Sequence, residues 1–405
     1  MNRIITFLFI LSFAISTFVF AQPDSQWRSS RRDGIYPDKN LLKQWPAEGP
    51  QLLWVINGLG DGYSSAAVAY NKIFITGMVD GNGIMQAYDL NGKLIWKTNY
   101  GPEWSSDFPG TRASATVIDN KIYIQSGVSR VICMNAATGK IIWSVDLKER
   151  FGSQVPRWGI AESVLIEGNV LYCTPGGTKG GIVALDRLTG KTIWACTEHT
   201  DPSAYCSPVI FNHNKNRILV TMTEKSIVAV NPDNGKLLWT FPHKTDWNIH
   251  PNTPTYIDGL LYCVSGYGTG GVMLKLSADG KSVTEVWRNS TLDSQLGATV
   301  VINGYIYGSG MNKKYWQCLD WKTGEVKWMS DKRGKGNIIF ADGMLYLYDE
   351  SGDVMLVEPN PNAFKVVSSF KETHGDKQHW AHLVISNGIL YVRHGDALMA
   401  YKVSK

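Results

Sequence analysis

The chain is a succession of short segments in which apolar and polar residues alternate, separated by residue pairs that tolerate positive φ. ATVIDNKIYIQSG turns around Asp119-Asn120, TYIDGLLYCVSG around Asp258-Gly259, TVVINGYIYGSG around Asn303-Gly304, IIFADGMLYLYD around Asp342-Gly343 and LVISNGILYVRHG around Asn387-Gly388. Asp-Gly and Asn-Gly between such runs are the strongest short-range hairpin signal, because the two-residue turn that follows strand twist needs positive φ at both central positions. The pattern predicts an all-β chain.

A second phrase follows the hairpins. It reads AYDLNGKLIW to Trp96, MNAATGKIIW to Trp143, ALDRLTGKTIW to Trp194, AVNPDNGKLLW to Trp239 and CLDWKTGEVKW to Trp328, with a looser copy, LKLSADGKSVTEVW, to Trp287. GPQLLW, ending at Trp54, is the tail of this phrase without its head. The tryptophans at 54, 96, 143, 194, 239, 287 and 328 recur about every 46 residues. Each period holds the hairpin, a third strand running into the D-x-x-T-G-K turn and a fourth strand carrying the indole. Four-stranded units of ~40–50 residues predict a β-propeller, whose radial sheets bury their faces on one another.

Counting gives an eight-bladed β-propeller of four-stranded antiparallel blades. The seventh blade's outer strand, around Val366, lacks the tryptophan. The eighth is split: its inner strands lie at the C-terminus and GPQLLW supplies its fourth, so an N-terminal strand joins the C-terminal blade and closes the ring. The expected organisation is a leader over residues 1–21, an extended arm over residues 22–48 and the propeller over residues 49–405. Pro37 and Pro46 oppose regular pairing, so the arm is expected to lie across one face.

The apolar run over residues 4–20 behind Arg3, ending in Val19-Phe20-Ala21, predicts a secretory signal cut after Ala21 and a periplasmic or secreted mature chain with no membrane span. The 405 residues are 44% apolar and 19% charged with a formal charge of +5, which excludes a disordered chain and gives no phosphate-tracking stripe, so no nucleic-acid partner is expected. The six cysteines show no C-x-x-C spacing and sit mostly in apolar runs, which points to small buried hydrophobes and gives no metal site. A monomer is expected.

The A-x-D-x-x-T-G-K-x-x-W phrase resembles the repeat of pyrroloquinoline-quinone-type (quinoprotein) propellers, a family that also includes the outer-membrane assembly scaffold propeller. The lead-in through Trp27, Arg28, Arg32, Asp33 and Gly34 is similar to the W-R-x-x-x-R-D-G segment of secreted bacterial members. The resemblance covers the chain from about Gly49 onward and implies two functions of different kind. One is a binder, or a quinone- and calcium-dependent dehydrogenase of alcohols or sugars, acting on a small polar molecule. The other is a non-catalytic scaffold holding envelope proteins. The chain has no adjacent Cys-Cys pair and only short inter-blade loops, two departures from the dehydrogenases.

Recurrent tryptophans are read as wedges between blades, and Asp89, Asp186 and Asp320 as turn formers. Binding residues are sought where the repeat is broken at the entrance to each innermost strand, because these entrances converge on the axis. They give Tyr63, Arg112, Trp158, Glu162, Tyr205, His250, Asn252, Gln295, Asn337, Trp380 and His382 as ligand-binding candidates. Arg112, Glu162, His250 and His382 suit an anionic or polyhydroxylated ligand, with Trp158 or Trp380 as a stacking surface. Glu162 is the one carboxylate among them, too few for a calcium site with a base. No catalytic residue is assigned.

Overall fold

The computed structural model describes residues 24–296 and 299–405, so the expected leader and its cut lie outside the described residues. Eight antiparallel four-stranded sheets follow in chain order. Blade 1 comprises Ala67–Ala69, Lys72–Val79, Asn82–Asp89 and Leu94–Pro102. Blades 2 to 7 repeat this arrangement with innermost strands Thr116–Ile118, Leu165–Glu167, Val209–His213, Thr255–Ile257, Thr299–Ile302 and Gly336–Ala341. Blade 8 combines Val384–Ser386, Ile389–His394 and Ala397–Lys402 with Gln51–Ile56, which pairs antiparallel to Ala397–Lys402. The ring is therefore closed by the chain's own two ends. A five-residue helix, Leu147–Phe151, is the one described α-helix, and no described helix is long and apolar enough to cross a membrane.

The turn chemistry acts as the sequence requires. Asp119 and Asn120 have φ of 47° and 54°, and Asn303 and Gly304 have 51° and 82°. In the D-x-x-T-G-K turns the carboxylate folds the backbone: Asp186 Oδ1 accepts from the amides of Leu188 and Thr189 and from the Thr189 hydroxyl.

Every outer strand pair shifts register by one residue close to the tryptophan position. Such a bulge re-aims the following side chain. The Trp143 indole donates from Nε1 to the carbonyl of Arg187 at 3.0 Å, Trp194 to Pro232 at 2.9 Å and Trp239 to Gly280 at 3.1 Å, each in the next blade's turn. Gly190 has φ of 70°, and a Cβ there would meet the Trp143 ring at 2.9 Å, so both backbone and space demand glycine. The indoles of Trp54, Trp287 and Trp328 likewise donate to the next blade's turn, whereas the Trp96 N–H is buried without a partner among the described residues.

Among the described residues the apolar core is divided into separate clusters. Apolar clusters fill the wedges between neighbouring blades, such as Phe74, Met85, Ile122 and Ile132 between blades 1 and 2. All six cysteines are free and buried there. Blade 7, without its own indole, receives Trp45 from the arm. That ring is buried against Phe370 and Tyr346, with centroids 5.6 and 5.9 Å away.

The rest of the arm enters the axis instead of lying across a face. Ile35–Tyr36 forms a parallel fifth strand on Phe340 and Ala341 of blade 7. Ser25 bridges Val117 of blade 2 and accepts from the Val68 amide of blade 1. Arg28 donates to the carbonyls of Thr299 and Ile338, in blades 6 and 7, and Arg32 to those of Ser163 and Val164 at blade 3. Tyr36 donates to the Leu383 carbonyl beside blade 8. The arm spans the hole and grips six of the eight inner-strand segments.

Candidate functional site

Cavities lie on both sides of the arm. On the hairpin side lies a volume of about 600 Å³ between the arm and blades 3 to 6, walled largely by Val209, Ile210, Phe211, Tyr256 and Ile257. At the other end is a mouth of about 160 Å³, with Trp27 of the arm among its walls. The residues expected to bind gather at the smaller cavity. Tyr63, Arg112, Tyr205, Gln295, Trp380 and His382 all line it.

Their positions follow from the strand entrances. The Tyr63 amide donates to the Thr111 carbonyl at 2.7 Å, which ties the entrances of blades 1 and 2. The Tyr63 ring packs on Trp380 at 5.0 Å and its hydroxyl donates to Gln378. Arg112 lies over the Tyr63 ring at 5.7 Å and donates to the carbonyls of Gly110, Phe108 and Asp107. Burial lowers its pKa. Those carbonyls orient the guanidinium without cancelling its charge.

The far rim is a relay. Gln295 donates to the Tyr267 hydroxyl and accepts from Lys335 at 2.7 Å; Lys335 pairs with Glu350 at 3.0 Å, and Glu350 accepts from the Trp380 indole at 2.9 Å. Four blades are linked this way, and each side chain's orientation is fixed by its neighbours.

His382 is fully engaged. Arg28 donates to its Nδ1 at 3.3 Å, which makes Nε2 the protonated nitrogen, and Nε2 donates to the Leu296 carbonyl at 2.8 Å. Burial and then the Arg28 charge hold its pKa down at about 3. A neutral imidazole with both nitrogens occupied cannot take a substrate proton.

Trp158 sits at the rim, its amide donating to the Tyr205 hydroxyl at 3.3 Å. Glu162, His250, Asn252 and Asn337 do not line the mouth. They point between strands. Both Glu162 carboxylate oxygens accept from the Thr174 amide, and burial pushes its pKa up to about 8. His250 meets the Ser265 hydroxyl through Nδ1 and the Glu224 carbonyl through Nε2, and burial lowers its pKa to about 4. Asn252 ties blade 5 to the Ser294 carbonyl, and Asn337 ties blade 7 to the carbonyls of Trp380 and Ala381. Serines do the same elsewhere: the amides of Ser65, Ser114 and Ser163 donate to the hydroxyls of Ser114, Ser163 and Ser207. The broken-repeat positions thus form a belt joining successive blades as well as a mouth.

Three contributors lie outside the strand entrances. Trp27 stands on the arm, its ring 5.1 Å from His382; its signal was the W-R-x-x-x-R-D-G lead-in. Arg157 and Trp247 stand on loops of blades 3 and 5. Arg157 lies over Trp158 at 4.9 Å and over Trp247 at 5.3 Å.

The quinone and calcium implied by resemblance do not fit this set of residues. Among the described residues no three His, Cys, Asp or Glu side chains converge to hold a cation. The mouth's 160 Å³ is also below the ~300 Å³ at which pockets begin to enclose drug-sized molecules. Glu103, a carboxylate near Arg112, is already used: it accepts from the Tyr100 hydroxyl and the Trp104 amide, and burial raises its pKa to about 7.

Comparison with known proteins places these features. Residues 81–330 match the family described as outer membrane protein assembly factor BamB. A protein of that name from Moranella endobia is 26% identical over 260 residues, 60% of this chain and 63% of the relative. The quinoprotein alcohol dehydrogenase PedH of Pseudomonas putida is 30% identical over 155 residues, 36% of this chain and 25% of the relative. The chain thus spans less than two thirds of these curated relatives. Among solved structures, BamB from Moraxella catarrhalis superposes with a TM-score of 0.62 at 18% identity, covering 87% of this chain and 97% of that one. A quinohemoprotein alcohol dehydrogenase from Comamonas testosteroni gives 0.68 at 12% identity, covering 93% and 79%. Both likenesses show the fold.

Proposed function

Because the chain belongs to the PQQ-repeat propeller family described as outer membrane protein assembly factor BamB, we propose that it is a non-catalytic binding module of the cell envelope. It acts as a secreted or periplasmic monomer, and its axial mouth takes an anionic or polyhydroxylated group. One observation carries this reading: the arm crosses the axis and leaves at one end a small mouth lined by Arg112 and aromatic rings. His382 is spent on Arg28 and Leu296, and Glu162 is spent on Thr174, so neither is free as a base. Preformed cations and ring faces without a general base suit recognition. The dehydrogenase reading, which also has relatives behind it, is the competitor.

The test is reconstitution. Purified mature chain supplied with pyrroloquinoline quinone and Ca²⁺ is expected to show neither the quinone's bound absorbance nor dye-linked oxidation of primary alcohols or aldoses. Sustained turnover that depends on both additives would overturn the proposal.

A further inference from the structure

The mouth does not end at its rim. The Trp158 amide that donates to Tyr205 belongs to a shelf in which Arg157 lies over two indoles, and the Trp247 indole is 49% exposed. Across the mouth, Phe108 is 44% exposed against Trp380 at 5.1 Å. Large exposed rings on both sides of one polar depression need a reason, since a lone exposed apolar residue is ordinary but a rimmed cluster marks an interaction site.

The charges narrow the chemistry. Of the carboxylates around the mouth, Glu350 is paired with Lys335 and Asp61 with Lys377, Glu103 near Arg112 is held by the Tyr100 hydroxyl and the Trp104 and Gly127 amides, and Glu224 lies near Tyr205. Among the described ion pairs none involves Arg112 or Arg157; the first donates to backbone carbonyls and the second rests on rings. Two oriented guanidiniums, Arg112 in the mouth beside Tyr63, Tyr205 and Gln295 and Arg157 over the Trp158 and Trp247 rings, match a ligand of alternating character. It must offer a flat C–H face for an indole, hydroxyls around its edge and carboxylates at intervals. A pyranose bearing a carboxylate has all three, and the mouth is sized for one such ring. A guanidinium pairs with a carboxylate through two parallel hydrogen bonds, and indoles bring contact area at small cost in side-chain entropy.

Building on the reading of the mouth as a ligand site, we propose that the mouth and the Arg157–Trp158–Trp247 shelf form one continuous cleft for an acidic oligosaccharide, a chain of uronic-acid pyranoses. One sugar seats in the mouth over Trp27 against Arg112. Its neighbours stack along Trp247 with a carboxylate on Arg157.

The experiment is calorimetric titration of the full mature chain with uronate hexamers (galacturonate, mannuronate and glucuronate series), their methyl esters and the corresponding monosaccharides, with tryptophan emission as a second readout. At least one acidic hexamer is expected to bind, with its methyl ester weaker by about tenfold or more and its monosaccharide weaker still. Trp247→Ala and Arg157→Ala, both at exposed side chains, are expected to weaken the hexamer about tenfold and leave the monosaccharide unchanged. Arg112→Gln, checked for an unchanged melting temperature, is expected to weaken both. If the monosaccharide binds through Arg112 but the hexamer binds no tighter, the shelf is refuted and the mouth stands. If the hexamer binds through Trp247 and is indifferent to Arg112, the mouth reading fails. Absence of binding across all three series overturns the acidic-saccharide assignment, as does a protein partner whose capture is lost in Trp247→Ala.

Discussion

Arg28 shows how much a single buried side chain can hold. It is 4% exposed and donates to the carbonyls of Asp33, Thr299 and Ile338 and to His382 Nδ1. Arg28→Met keeps much of the volume and strands those acceptors, so a loss of about 2–4 kcal/mol is expected in denaturant unfolding. Burial also lowers the Arg28 pKa to about 10. A loss below experimental error would mean that the arm is not seated. Glu162 provides a second residue-scale test. Its pKa is raised from 4.5 to about 8, chiefly by burial, so the folded chain keeps a proton that the unfolded chain releases. This group therefore makes stability fall as pH rises between about 4.5 and about 8. His243, His250, His379 and His382, lowered to between about 3 and about 4, act oppositely: the unfolded chain binds their protons below 6.5, and stability falls on acidification from there. Together they place maximal stability near neutrality. Glu162→Gln should flatten the decline from pH 6.5 to 8 in melting temperatures; an unchanged slope would remove Glu162 as its cause.

At the scale of elements, the indole and the glycine of the next turn work as a pair. Gly190→Ala puts a methyl into the Trp143 ring and forces a φ that alanine resists, so a cost of about 1–3 kcal/mol is expected, and Trp143→Ala should cost about 3–5 kcal/mol. In the double variant the two losses should fall well short of adding, because they break one contact; full additivity in a denaturant cycle would show that the ring and the turn are uncoupled. These elements were readable in the sequence because each is local: a two-residue turn, a bulge and an indole repeat with the period. The entrances were only half readable. At a strand entrance neighbouring positions face different directions, so a polar residue at the right period can line the mouth, as Tyr63 and His382 do, or turn between strands, as Glu162, His250, Asn252 and Asn337 do. The arm was least readable, since its contacts join residues more than a hundred positions apart and no period marks them.

For the whole molecule, closure and plugging are separable. Gln51–Ile56 completes blade 8, whereas residues 24–34 only fill the hole. A chain beginning at residue 35 is expected to remain a folded monomer with a lowered melting temperature, while one beginning at residue 58 exposes the edge of Ala397–Lys402 and should aggregate on size-exclusion chromatography. If both elute as monomers with equal melting temperatures, the N-terminal strand does not close the ring.

The proposed site depends on the arm standing behind the mouth, and amide hydrogen exchange of the folded chain measures this directly. The amides of Arg32, Gly34 and Ile35 should exchange as slowly as those of the inner strands Thr116–Ile118 and Gly336–Ala341, because they donate to the Ser29 and Arg28 carbonyls and to Asp33, and the Gly34 carbonyl in turn accepts from Phe340. Complete exchange of these arm amides within seconds, beside protected inner strands, would leave an open tunnel and contradict the proposed site.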